Sequence, residues 1–159
     1  MTRLSGKMKI AAIGRIKEGH WRRAESDYIK RINRYSQIEV VTLKDMVGRG
    51  MTDEAALQRE GEQLLHATED ARLRVGLTPA GKLYTSENFA LLLGRWITEH
   101  GRFAFLIGGP LGCDQTTVDA CDVQLALSPL TFTHEIARVL LLEQIYRACT
   151  ILSNEQYHK

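Results

Sequence analysis

The residues best suited to chemistry begin with Gly108-Gly-Pro-Leu-Gly112, which directly follows the apolar run Phe103-Ala-Phe-Leu-Ile107. Paired glycines after a buried strand let a ligand touch the backbone where any side chain would stand in the way. A tight turn that needs glycine at positive φ would use the same residues. The spacing is not the G-x-G-x-x-G of a dinucleotide site, and Pro110 removes an amide donor that a phosphate would want. A pocket of backbone and apolar groups with few charges suits an adenine and ribose better than a triphosphate. In open α/β sheets ligands lie beyond the carboxyl ends of strands, which adds two loops, Leu77 to Gly81 and Leu127 to Phe132.

A second constellation is basic. Residues 1–35 hold ten Lys or Arg against three acids, a local charge of +7, so the remainder carries −5 of the formal +2. Clustered cations release counterions when they meet phosphates, which points to a polyanion partner. A solvated helix face with a loose basic tail would read the same way.

Elements that alternate in type must position these groups. Met8 to Ile13 reads as a strand, Trp21 to Tyr35 as an amphipathic helix with its bases toward water, and Ile38 to Leu43 as a second strand. Thr52 caps a helix over Asp53 to Thr68. Arg72 to Leu77 is a third strand, closed by a turn at Pro79-Ala-Gly81, and Ser86 caps a helix that ends before Gly101. Phe103 to Ile107 is apolar throughout, as in a strand covered on both faces. A short helix near Thr116 to Ala120, a strand over Val123 to Leu127 and a long helix from Thr133 to Leu152 complete the chain. The fold class is therefore α/β, one domain over 1–159 with a mostly parallel sheet between helical layers. Met1 to Lys7 and the extreme C-terminus are expected to be loose. The long helix is apolar on two sides, Ile136, Val139 and Leu140 against Leu141 to Leu152. It is either buried centrally or its second side meets another copy.

With 44% hydrophobic and 25% charged residues, the 159-residue chain has the balance of a globular protein. No apolar run reaches the ~20 residues of a membrane span, and no secretory leader precedes the first strand. The cytoplasm is the expected compartment, without membrane contact. Cys113, Cys121 and Cys149 lack the close pairs of a zinc or redox motif, so reduced thiols and no metal are expected.

Three stretches, Phe105-Leu-Ile-Gly-Gly-Pro-Leu-Gly112, Leu127-Ser-Pro-Leu-Thr-Phe-Thr-His134 and Arg138-Val-Leu-Leu-Leu-Glu-Gln-Ile-Tyr-Arg-Ala148, with Tyr157-His-Lys159 at the end, give the sequence a family likeness. In order and spacing it resembles the RlmH family, which methylates N3 of a pseudouridine in large-subunit (23S) ribosomal RNA. The likeness is faint up to about Arg72 and strong from Phe103. It implies a SPOUT-type domain with a C-terminal trefoil knot, S-adenosylmethionine as cofactor, and a homodimer acting on the ribosome. Threaded chains are nearly absent among proteins, so general topology would argue against the knot. The matching cofactor positions are Leu77, Gly108, Leu127, Ser128, Pro129, Leu130, Thr131 and Phe132. The sequence departs from the family at Thr78 and Leu111, where acids are common, at Thr133, where proline is common, and at Lys159, where arginine is usual.

The same likeness gives the C-terminal residues roles. His158, an imidazole base, would help the acceptor nitrogen lose its proton. Tyr157 would stack on the base or bond its edge, and Lys159 would favour the developing negative charge or hold a phosphate. His134 is a second candidate, more naturally a cap or interface residue. Arg138 and Arg147 could pair with Glu135 and Glu143 or reach RNA. Arg15, Lys17, Arg22 and Arg23 become a phosphate-contacting surface, with His20 beside them. A non-catalytic ribosome-binding factor of the same fold is the alternative, which would show no heat with S-adenosylmethionine.

Overall fold

A computed structural model describes residues 3–159. Ten elements follow one another: β1 (Lys7–Ile13), α1 (Gly19–Asn33), β2 (Gln37–Leu43), α2 (Asp53–Ala67), β3 (Leu73–Lys82), α3 (Ser86–His100), β4 (Arg102–Ile107), α4 (Gln115–Asp119), β5 (Val123–Leu125) and α5 (His134–Leu152). The strands form one sheet in the order β2-β1-β4-β3-β5, and every pairing is parallel. Parallel neighbours need crossovers, which the helices supply on both faces. Helices α1, α3 and α5 cover one side with Ile32, Phe89, Leu93, Leu141, Leu142 and Ile145, while α2 covers the other with Leu64 against Ala11, Ile13, Ala104 and Leu106. The expected α/β class is therefore what the sheet shows.

Strand β4 is central and buried from Phe103 to Ile107, which explains its apolar run. Phe103, Phe105, Trp96 and Phe89 form a cluster of edge-on and tilted ring contacts, with ring centres 5.8–6.5 Å apart. Each such contact contributes ~1 kcal/mol beyond the area it buries.

Several local expectations need correcting. Strand β3 does not end at Leu77: residues 78–81 bulge out and Lys82 rejoins the sheet, so Leu77 and Lys82 both lie opposite Leu125. A Cβ on Gly81 would stand 2.5 Å from the Leu125 carbonyl carbon, so only glycine permits this return. Strand β5 stops at Leu125 and not at Leu127, its last ladder bond being the Ala126 amide to the Lys82 carbonyl beyond the bulge. The cap of α3 is Thr85, which accepts from the Asn88 amide, because Ser86 instead donates to Gln144 of α5. Within the stretch expected to be loose, the Leu4 amide donates to the Tyr35 carbonyl, and Gly6 is buried with its carbonyl accepting from Ser36. Residues 1 and 2 lie outside the described chain.

Helix α5 is wedged between α1 and α3, burying Val139 on one side and Leu141, Leu142, Ile145 and Cys149 on the other. On its two apolar sides Ile136 and Leu140, and Tyr146, Ile151 and Leu152, are only partly buried. Arg138 is 4% exposed: its guanidinium donates to Glu25 (2.5 Å), to the Gly14 carbonyl and to the Thr42 hydroxyl (3.0 Å each). Its partner is thus Glu25 of α1 and not the sequence neighbour Glu135.

All three cysteines are free thiols. Burial pushes the Cys149 and Cys113 thiols up to about 12 and Cys121 up to about 11, from an ordinary 9.0. The fold therefore opposes their ionisation. That stabilisation is fully present below the unfolded value and is lost as pH rises through 9 toward the folded values. Thermal midpoints are expected to be flat from about pH 7 to 8.5 and to fall above about pH 9. Iodoacetamide at about pH 8 should label Cys149 only in unfolded chain, and rapid labelling of the native protein would refute this.

Candidate functional site

The bulge of β3 and the loops leaving the carboxyl ends of β4 and β5 enclose one cavity of about 770 Å³. It is lined by Leu77, Thr78 and Pro79, by residues 107–113, and by Leu127, Ser128, Leu130, Thr131 and Phe132, with Thr133, His134 and Glu135 from the start of α5. Of the eight cofactor positions singled out in the sequence, seven line this space; Pro129 is exposed outside it. The volume falls in the range of small-molecule sites, roughly 300–1,000 Å³. Apolar walls and backbone predominate, with Ser128 and Thr131 hydroxyls and one carboxylate, Glu135. That chemistry fits a planar heterocycle and a sugar.

Gly108 is required for a different reason from the one its position suggested. A Cβ there would sit 2.5 Å from the carbonyl carbon and oxygen of Gly112, because the loop folds back on itself. The fold-back is held by the Gly112 amide donating to the Gly109 carbonyl at 2.9 Å, with Gly112 at φ +76°. Beneath Gly109 lies Glu60, 2% exposed, one of whose oxygens accepts from the Met46 amide at 2.9 Å while the other has no partner among the described residues. Glu60 was not legible as part of this loop's support, since it reads as one more polar residue of an amphipathic helix.

Three of the four departures from the resembled family, Thr78, Leu111 and Thr133, are accommodated around the cavity. Thr78 sits in the bulge, its hydroxyl accepting from the Ala80 amide. Leu111 is exposed on the cavity rim. Thr133 caps α5, accepting from the Ile136 amide.

The C-terminal residues do not line the cavity of their own chain. Asn154, at φ 56°, turns the chain back after α5, and Glu155 is held by the Tyr35 hydroxyl at 2.5 Å. The Tyr157 ring packs on Tyr146 (4.7 Å) and under the Arg147 guanidinium (4.8 Å), and its hydroxyl donates to Glu143. Burial and the Glu143 carboxylate push that phenol up to about 12, so it stays protonated at neutral pH. His158 lies between Arg147 (3.1 Å) and Glu87 (2.7 Å), and its bond holds the Glu87 carboxyl below the usual carboxylate range. Arg147 also pairs with Glu143 at 2.5 Å. Lys159 is exposed. The tail is thus an ordered strap on α3 and α5, contrary to the expected looseness.

Of the basic set, Arg15, Lys17 and Arg22 border a separate cleft, while Arg23 folds back toward Gly19 outside it. Among the described residues no His, Cys, Asp and Glu group could hold a metal, and no helix is long and apolar enough to cross a membrane.

Comparison with known proteins matches this arrangement. The family model described as predicted SPOUT methyltransferase matches residues 7–158. A protein of Ruminiclostridium cellulolyticum named ribosomal RNA large subunit methyltransferase H is 37% identical over 158 residues, spanning 96% of this chain and 99% of that one. The protein of the same name from Heliobacterium modesticaldum is 35% identical over 158 residues, 96% and 98% of the two chains. Among solved structures, a probable methyltransferase of Bordetella pertussis superposes with a TM-score of 0.59 at 16% identity, over 92% of this chain and 97% of its own. A probable methylase family protein of Haemophilus influenzae gives 0.59 at 13%, over 96% and 70%. At such identities the superpositions speak for the fold alone.

Proposed function

The chain belongs to the SPOUT methyltransferase family, and from its place beside the large-subunit ribosomal RNA methyltransferases H we propose how its cavity is used. It is a methyltransferase of large-subunit ribosomal RNA. Our reading is that it methylates N3 of a pseudouridine with S-adenosylmethionine as donor. The observation that carries this is the meeting of the β3 bulge and the loops after β4 and β5 in one cavity with the chemistry of a nucleoside site.

The donor would be held by Leu77, the Gly108–Gly112 backbone and the Leu127–Phe132 run, excepting Pro129. Once bound, it supplies a methyl group already activated for transfer. What remains for the chain is to align the acceptor nitrogen and help it shed a proton. The fold-back at Gly108 presents backbone at the cavity wall, and Phe132 and Leu127 keep water from one side. The family's C-terminal knot also belongs to this proposal, supported by the tight passage of Leu125 and Ala126 against Gly81.

The partners we propose are the 23S rRNA of the ribosome and a second copy of the chain. Tyr157, His158 and Lys159 act on the base, and since they stand outside the cavity of their own chain, the cavity they serve is that of the other copy. Mass spectrometry of large-subunit RNA from a strain lacking this chain should show one pseudouridine without its methyl group, restored when the purified protein and S-adenosylmethionine are added. Retention of that methyl in the deletion strain would refute the assignment.

A further inference from the structure

Two hollows open on the carboxyl edge of the sheet and share a wall. One is the cavity just described; the other, about 420 Å³, is bordered by Arg15, Lys17 and Arg22. The wall is the segment after β1 set against the first turn of α5. A Cβ on Gly14 would lie 3.7 Å from His134 Nε2, and the Lys17 amide donates to the Glu135 carboxylate. His134 and Glu135 both line the cavity on the wall's other side. The His134 ring enters none of the side-chain hydrogen bonds of the described residues and stands at the cavity.

Among the residues lining the cleft the one acid, Glu25, is taken up by the buried Arg138 at 2.5 Å, while Asp45 and Glu135 stand beside Lys17. Arg15, Lys17 and Arg22 are exposed and form no ion pair among the described residues. Three cations without an ion pair around a concave surface attract a phosphate, and the segment after β1 packed on the first turn of α5 separates that phosphate from the cavity.

We propose that the acceptor nucleotide straddles this wall: its backbone phosphate lies among Arg15, Lys17 and Arg22, and its base turns over His134 into the cavity. The inference rests on the reading that the chain methylates RNA. The substrate it takes is an unpaired nucleotide splayed from its strand, the form in which proteins read RNA bases. His134 then contacts the reacting base, while Glu135 fixes the wall through the Lys17 amide.

The test uses full-length protein and assembled ribosomes lacking the methyl group. Exchanging both Arg15 and Arg22 for Gln should raise KM for the ribosomes on the order of tenfold with kcat kept. The slope of log affinity on log salt should shrink by about two. His134→Gln should lower kcat on the order of a hundredfold, with KM and the affinity for S-adenosylhomocysteine unchanged; His134→Asn, tested in parallel, should behave alike. An unaltered salt slope, or a loss of cofactor affinity that matches the loss of rate in both His134 variants, overturns the proposal while an active wild type leaves the methyltransferase reading standing. An inactive wild type overturns both.

Discussion

Arg138→Ala is expected to cost about 3 kcal/mol of folding stability, read as a lower urea midpoint at unchanged slope. The arginine is the hub of three elements: Glu25 on α1, the Gly14 carbonyl after β1 and the Thr42 hydroxyl on β2. Removing it leaves a largely buried carboxylate without its partner, and that desolvation penalty is greater than the pair's own net contribution. The double variant with Glu25→Gln should therefore recover part of the loss. A single variant within about 1 kcal/mol of wild type would mean that water reaches Glu25 and the pair is effectively a surface one.

Deleting Tyr157 to Lys159 is expected to lower methyl transfer by a factor on the order of 10²–10⁴ while donor binding persists. The same deletion decides whose cavity the tail serves. Gly108→Val places atoms within 2.5 Å of Gly112 and should destroy the donor site while leaving the tail intact. Neither variant is active alone. Mixed under conditions that exchange subunits, they should regain activity, because one cavity of each mixed pair has an intact loop and the other chain's tail. A mixture that stays inactive would show that each tail serves its own chain.

The layered α/β plan was legible because β1 and β4 are apolar and the helices amphipathic, and because Thr52 and Thr133 are competent caps. The three cofactor loops were legible from the same plan, since a parallel sheet gathers its loops at one edge. What escaped depends on partners far apart in sequence. Ser86 is as good a cap as Thr85 until Gln144 of α5 draws its hydroxyl away. The turn at Pro79 to Gly81 was plain, but the return of Lys82 to Leu125 follows no period-two pattern. Arg138 offered Glu135 nearby, and only the packing of α1 on α5 brings Glu25 to it. The tail residues were singled out through family likeness, and nothing local predicts that His158 docks on Glu87.

The strand order has a consequence for how the molecule forms. β1 lies between β2, its near neighbour in sequence, and β4, with Lys7 opposite Arg102 and Ile10 opposite Phe105. On a growing chain, β1, α1 and β2 can assemble early, yet one edge of β1 then waits for two further crossovers to be synthesised. Contacts so distant along the chain make folding slow, and an unpaired apolar strand edge invites association in the meantime. That edge is covered only once β4 has been made, and α5 with the tail, which carry parts of the proposed site, follow β4 in the chain.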